Sequence, residues 1–335
     1  MEPKLHEIDP NGDMLLIIRN ANAPFAVPEP APGPPQKRPK LESADGKPEV
    51  HMRLSSKHLA LASASFKGLT ANEWNETTAD GYYSYIVNAE DWVEEAVLIL
   101  MNIIHGRTAK VPRAMELELL AKIAVLVDYY RCHDAVQFFS ETWLQSLAKV
   151  SSNRDMLFKV FISWVFQDAD CFRDSTKALI WESKGPIDSL GLPIPQHVVA
   201  VLNEKREEHI AAILAGLNGL VKNVYSNKHV SCSFACSSMY LGALINGLIK
   251  IGLFQSCPPP PPPYAGHSWA SLDDAIRNME EPPWDRFCLK NRVTIKRSEI
   301  CRLSTKPKGI VDDQLRQLKG LELKEFIQFS KVKII

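Results

Sequence analysis

The sequence predicts an α+β fold, a small sheet flanked by helices and followed by a mostly α-helical extension. Three observations carry that expectation. Short apolar or β-branched runs stand near the N-terminus, at Met14–Ile18 and Tyr82–Val87. Between Trp92 and Trp143 apolar residues recur at i, i+3, i+4 and i+7, the period of helices buried along a stripe. Beyond Arg154 helical signals dominate.

Taken in order, Asp9-Pro10-Asn11-Gly12-Asp13 is a turn cluster, and the continuous apolar run Met14–Ile18 after it reads as a buried strand. Pro24 to Pro48 holds eight prolines and few large apolar residues, so it reads as a disordered insertion. Within it, Lys37-Arg38-Pro39-Lys40 fits a nuclear-import cluster or simply a solvated basic loop. Val50–Leu54 alternates weakly, as a second strand would, and Ser55 offers an N-cap to one helix carrying Leu59, Ala62, Phe66 and Leu69. Asn72–Gly81 is polar and turn-like, and Tyr82–Val87 forms the third strand.

Three short helices follow. The first carries Val93, Ala96, Val97, Leu100, Ile103 and Ile104, with Asp91 as its N-cap and Gly106 just past its end. The second follows Pro112 and repeats the period through Leu117, Leu120, Ala121, Ala124 and Val127. The third opens at His133-Asp134 and places Ala135, Phe138, Phe139 and Trp143 on one side. Leu98, Ile99 and Met101 fall outside the first stripe. A helix apolar on more than one face is covered by several neighbours or by a partner chain, which makes these three the candidate contact residues.

Further helices are expected over Arg154–Phe166, Cys171–Glu182 and, after a Gly/Pro-rich break, Pro195–Tyr225. Inside the last of these Glu204–His209 is entirely charged or His and reads as a solvated turn. Met239–Phe254 is apolar but only 16 residues long and contains Asn246 and Lys250, too short and polar to span a bilayer. Pro258–Pro263 reads as a polyproline II rod, a docking segment or a spacer, and helices are expected over Ala270–Met279 and Asp312–Phe329.

These patterns divide the chain into an interaction domain at 1–150, with the insertion at 24–48, a helical extension at 151–255, and a proline-rich spacer with a basic C-terminal region at 256–335. The formal net charge is zero and the charged fraction 23%, so the whole molecule carries no bias toward nucleic acid or anionic membrane. Locally, Arg286–Ile335 holds 13 Lys/Arg against 5 Asp/Glu. The N-terminus lacks a signal-peptide pattern and the seven cysteines are an odd number, which points to an intracellular protein of nucleus or cytoplasm with reduced thiols and no membrane association.

The stretches GDMLLII, LSSKHLALASASFKGL, AVLILMNIIHGR and ELLAKIAVLVDYYRCHDAV, in the order strand, strand, Ser-capped helix, strand, paired helices, resemble a BTB/POZ domain of the fungal type with a helical C-terminal extension. The resemblance covers Asp9 to about Trp143, with the proline-rich insertion between the first two strands. It implies a protein–protein interaction module without catalytic activity, acting as a homodimer or as an adaptor for a cullin-type ubiquitin ligase. It also implies a charged pocket near the dimer interface, whose matching positions are Asp13 and His58. His58 departs from the Arg common in the family, and a His–Asp pair would respond to pH near neutrality. No kelch repeat or zinc-finger array follows.

No sequence pattern of a nucleophile elbow, zinc protease, P-loop or dinucleotide fold occurs, so no catalytic residue and no cofactor are expected. The candidate metal ligands are His229, Cys232 and Cys236, with Cys288 or Cys301 distant in sequence, for a structural zinc; the other reading is that these cysteines are small buried hydrophobes. The expected function is a scaffold or adaptor binding other proteins. The alternative, a nuclear regulator associated with nucleic acid, rests on the KRPK cluster and the basic C-terminal stretch.

Overall fold

A computed structural model of the chain describes residues 3–27, 49–71, 82–148, 152–226, 234–253, 261–282, 303 and 305–330. Within these the fold is α+β, a four-stranded sheet near the N-terminus and a helical remainder. The chain forms two compact units. One comprises residues 1–172, 188–194 and 323–335; the other comprises 173–187 and 195–322. These boundaries differ from the divisions at 150 and 255 that composition suggests, because each unit is assembled from separated segments.

In the first unit, β1 (Lys4–Glu7), β2 (Met14–Arg19), β3 (Val50–Leu54) and β4 (Tyr85–Glu90) form a sheet of order β1-β3-β2-β4. The inner pair β2–β3 is antiparallel, with Met14 opposite Leu54 and Ile18 opposite Val50. β1 runs parallel to β3 and β4 parallel to β2. The two inner strands differ in burial: β3 alternates, with Val50, Met52 and Leu54 inside, whereas Met14, Leu15, Leu16 and Ile18 of β2 are all buried. β4 begins three residues later than the apolar run suggests. Ser84 and Tyr85 donate their amides to the Asp13 carbonyl at 2.8 and 3.2 Å, so β4 enters in register with the start of β2. It then continues through polar Asn88 and Glu90, which an edge strand tolerates on its open side.

The helix expected after Ser55 is two helices, α1 (Ser56–Ala62) and α2 (Ala64–Thr70). Buried Ser63 separates them with extended backbone (φ −137°, ψ 123°). Its hydroxyl accepts the Phe66 amide at 3.1 Å and donates to the Tyr130 carbonyl. α3 (Glu94–Ile104) is capped from a distance, the Glu94 amide donating to the Asn22 side chain at 3.1 Å. Asp91, the expected cap, lies two residues before the observed cap Val93 with φ +65°, and its carboxylate accepts from Asn20. Gly106 takes φ +69° just beyond the helix, where a side chain would be strained. α4 (Leu117–Tyr130), α5 (His133–Ser146) and α6 (Asn153–Phe166) complete the packing, with α4 against both α3 and α6.

The boundary between the units falls inside α7 (Ala169–Glu182), after Phe172. The second unit is built on the 30-residue α8 (Gln196–Tyr225), against which α9 (Phe234–Lys250), α10 (Trp269–Arg277) and α11 (Thr305–Gln317) pack. The close approach of α11 to α8 puts Ile310 against Gly216, where a Cβ would lie 2.7 Å from the Ile310 Cγ2. α12 (Leu323–Ser330) returns to the first unit, its Phe326 ring 6.3 Å from that of Phe172. One helix expected over Asp312–Phe329 is therefore two, α11 and α12, separated at 318–322.

Two expectations for the second unit are corrected. Arg206, inside the charged block read as a solvated turn, is fully buried. Its guanidinium donates to the carbonyls of Ser183, Pro263, Tyr264 and His267 at 2.8, 2.7, 3.1 and 2.7 Å. Burial lowers its pKa, with Glu207 opposing, and the described ion pairs give it no carboxylate partner. The described end of the proline run is a turn and not a rod, Tyr264 donating its amide to the Pro261 carbonyl at 3.0 Å. Arg206 holds that turn through the Pro263 and Tyr264 carbonyls.

Candidate interaction surface

α3 supplies both the core and the one open apolar strip among its residues. Ala96, Val97, Leu100, Met101, Ile103 and Ile104 are buried as the helix packs against α1, α4 and α5. Met101 has no exposed surface and Ile99 is 5% exposed. Of the three candidate contact residues only Leu98 is half-open, and Met101 belongs to the core. The second apolar face is thus largely covered by the chain's own α4 and α5, which the helix pattern alone cannot distinguish from cover by a partner.

Beside Leu98 lies an open groove of about 440 Å³, floored by Leu98, Ile99 and Asn102 of α3 and by Val111 and Pro112 of the segment that follows. That segment is pinned from three sides. Arg107 donates its amide to the Asn102 carbonyl at 2.8 Å and its guanidinium to the Glu7 and Ile8 carbonyls at 3.1 and 2.9 Å. The Trp143 indole of α5 donates to the Pro112 carbonyl at 2.8 Å. Asn102 is held by its own donation to the Leu98 carbonyl at 2.7 Å, so the floor is preformed. Glu95 and Lys110, both exposed, place one charge of each sign on the rim.

Asp13 and His58 do not pair with each other. The Asp13 carboxylate accepts the Ser56 amide at 2.8 Å and the Ser56 hydroxyl at 2.7 Å, fixing the start of α1 on β2. Gly12 makes that approach possible, because a Cβ there would collide with the Leu54 carbonyl. Burial by itself would raise the Asp13 pKa, but the two Ser56 hydrogen bonds, the Asp13 amide and the Lys57 charge outweigh it and lower the pKa. His58 is exposed, and its ring lies 5.2 Å from that of His105. His105 is a residue that sequence reasoning missed: it was visible only as part of NIIHG, with nothing to mark its partner at Ser55.

A second, polar cleft of about 530 Å³ lies between α5 and the α6–α7 connection. Two of its titratable groups have local partners. Asp168 accepts the Cys171 amide at 2.8 Å, and His133 stands 3.9 Å from Asp128, whose carboxyl is pushed up by burial against the pull of His133 and Arg131. Cys132 is no activated thiol, since burial raises it to about 12. On α5, Phe138 points to solvent rather than joining buried Trp143 on one face.

Of the candidate zinc ligands, Cys236 is buried on α9, whereas His229, Cys232, Cys288 and Cys301 lie outside the described residues. Among the described residues no three His, Cys, Asp or Glu side chains are grouped to hold a metal ion. Lys37–Lys40 also lie outside them, as do 286–302, 304 and 331–335 of the basic C-terminal stretch. No helix among the described residues is long and apolar enough to cross a membrane. The chain matches no protein-family model. A comparison with curated proteins likewise yields no match.

Proposed function

We propose that this protein is an interaction scaffold or adaptor whose first unit, a BTB/POZ-like module, binds other proteins through the α3 groove. The observation that carries the reading is the preformed floor of Leu98, Ile99, Asn102, Val111 and Pro112 with its mixed-charge rim. Such a groove suits a partner that buries an apolar side chain at its centre and sets specificity with polar contacts at the edge. The element order β2, β3, α1–α2, β4, α3, then α4–α5, supports the family resemblance, because it follows the expected order of strands, capped helix, strand and paired helices. In this reading the mechanism is association alone. The occupants the resemblance suggests are a second copy of the chain or a cullin-type ubiquitin ligase.

Leu98→Glu is the direct test. Half-open Leu98 takes a charge without burying it, so the fold persists and association falls at least about tenfold, as loss of one well-packed apolar anchor predicts. Light scattering over a concentration range reads self-association, and pull-down with purified cullin reads the adaptor arm. Unchanged binding in both arms removes the groove from the reading.

A further inference from the structure

The start of α1 is held by two titratable acceptors from different elements. Asp13 of the β1–β2 connection takes Ser56, as described. His105, at the C-terminal end of α3, takes the preceding residue: the Ser55 amide donates to His105 Nε2 at 3.0 Å. The other ring nitrogen, Nδ1, stands 2.8 Å from the Met101 carbonyl. A carbonyl only accepts, so Nδ1 carries the hydrogen; an amide only donates to this ring, so Nε2 carries the lone pair. The contacts fix one neutral tautomer and commit both ring nitrogens.

We propose that His105 is a proton-operated latch on α1, which holds the Ser55 amide when neutral and releases it when protonated. A proton on Nε2 turns the acceptor into a donor facing another donor, so the Ser55 bond cannot survive it. The charged groups around the ring are mixed. His58 of α1, whose ring is 5.2 Å away, and Arg107, two residues on, oppose a charge at His105; Asp9 of the β1–β2 connection favours one. The half-buried ring is also desolvated, and that cost leads the forces lowering its pKa, with the Met101 carbonyl opposing. Burial would raise the Asp13 pKa, but the two Ser56 hydrogen bonds outweigh it and lower it from the ordinary carboxylate value. The inference is independent of what occupies the α3 groove.

Histidine-selective ¹⁵N spectra and amide hydrogen exchange on the full chain, between about pH 8 and pH 5, test it. The expected result is an Nδ1–H tautomer at the upper end and a protonation midpoint below the usual value of about 6.5. Exchange at Ser55, corrected for intrinsic rate, rises about tenfold as His105 protonates, while Ser56 stays protected. In His105→Gln the pH dependence at Ser55 disappears. An Nε2–H tautomer, or Ser55 protection that stays flat while His105 titrates, overturns the proposal.

Discussion

Arg206 shows how much a single side chain can organise without a charged partner. Four carbonyls converge on its guanidinium, from the end of α7 and from the turn before α10. Arg206→Met leaves those acceptors buried and unpaired, and a loss of more than about 3 kcal/mol in urea unfolding is expected. Arg206→Lys recovers only part of it, since an ammonium cannot span the same fork. None of this was legible in the sequence. The block Glu204–His209 has the composition of a solvated helix turn, and the partners are backbone groups, which leave no signature in side-chain pattern. Asp13 was expected beside His58 from the family resemblance alone, and its carboxylate accepts from Ser56 instead.

At the scale of elements, long periodic segments were readable and the exceptions have local causes. β2, β3 and the helices α3 to α6 stand close to where apolar period places them. β1 was not seen because four mostly polar residues carry no strand signal. It is held by pairing with β3 and by Lys4 and His6, which both reach Glu94 at 2.6 and 2.7 Å. The α1–α2 break was hidden because Leu59, Ala62, Phe66 and Leu69 keep a near-helical period across it. Ser63, which looks unremarkable inside that period, caps α2 and reaches across to α4. Ser63→Ala should cost about 1–2 kcal/mol, read by thermal unfolding, from the lost cap and the unpaired Tyr130 carbonyl. α3 carries the opposite lesson: apolar residues all round a helix told that it is enclosed, not by what.

For the whole molecule, the two units are not two stretches of chain. The backbone passes between them at 172/173, 187/188, 194/195 and 322/323, so composition shifts at the proline-rich tracts could not mark their limits. Ending the chain at Glu322 removes α12 from the first unit, and with it the Phe326 contact to Phe172. Burial of one aromatic side chain contributes about 1.5–3 kcal/mol. The shortened chain should therefore lose hydrogen-exchange protection in α6 before it does so in α8, and equal loss in both would contradict the division.

The same threading sets a timetable for biosynthesis. Residues 188–194 of the first unit leave the ribosome early, but 323–330 follow only after most of the second unit has been made. At about 5–20 residues per second that interval is on the order of ten seconds, during which the N-terminal sheet and its helices wait for their last piece. The surface of Phe172 that α12 covers stays open to chaperones over that interval, and the unit is completed only once the later segment has emerged.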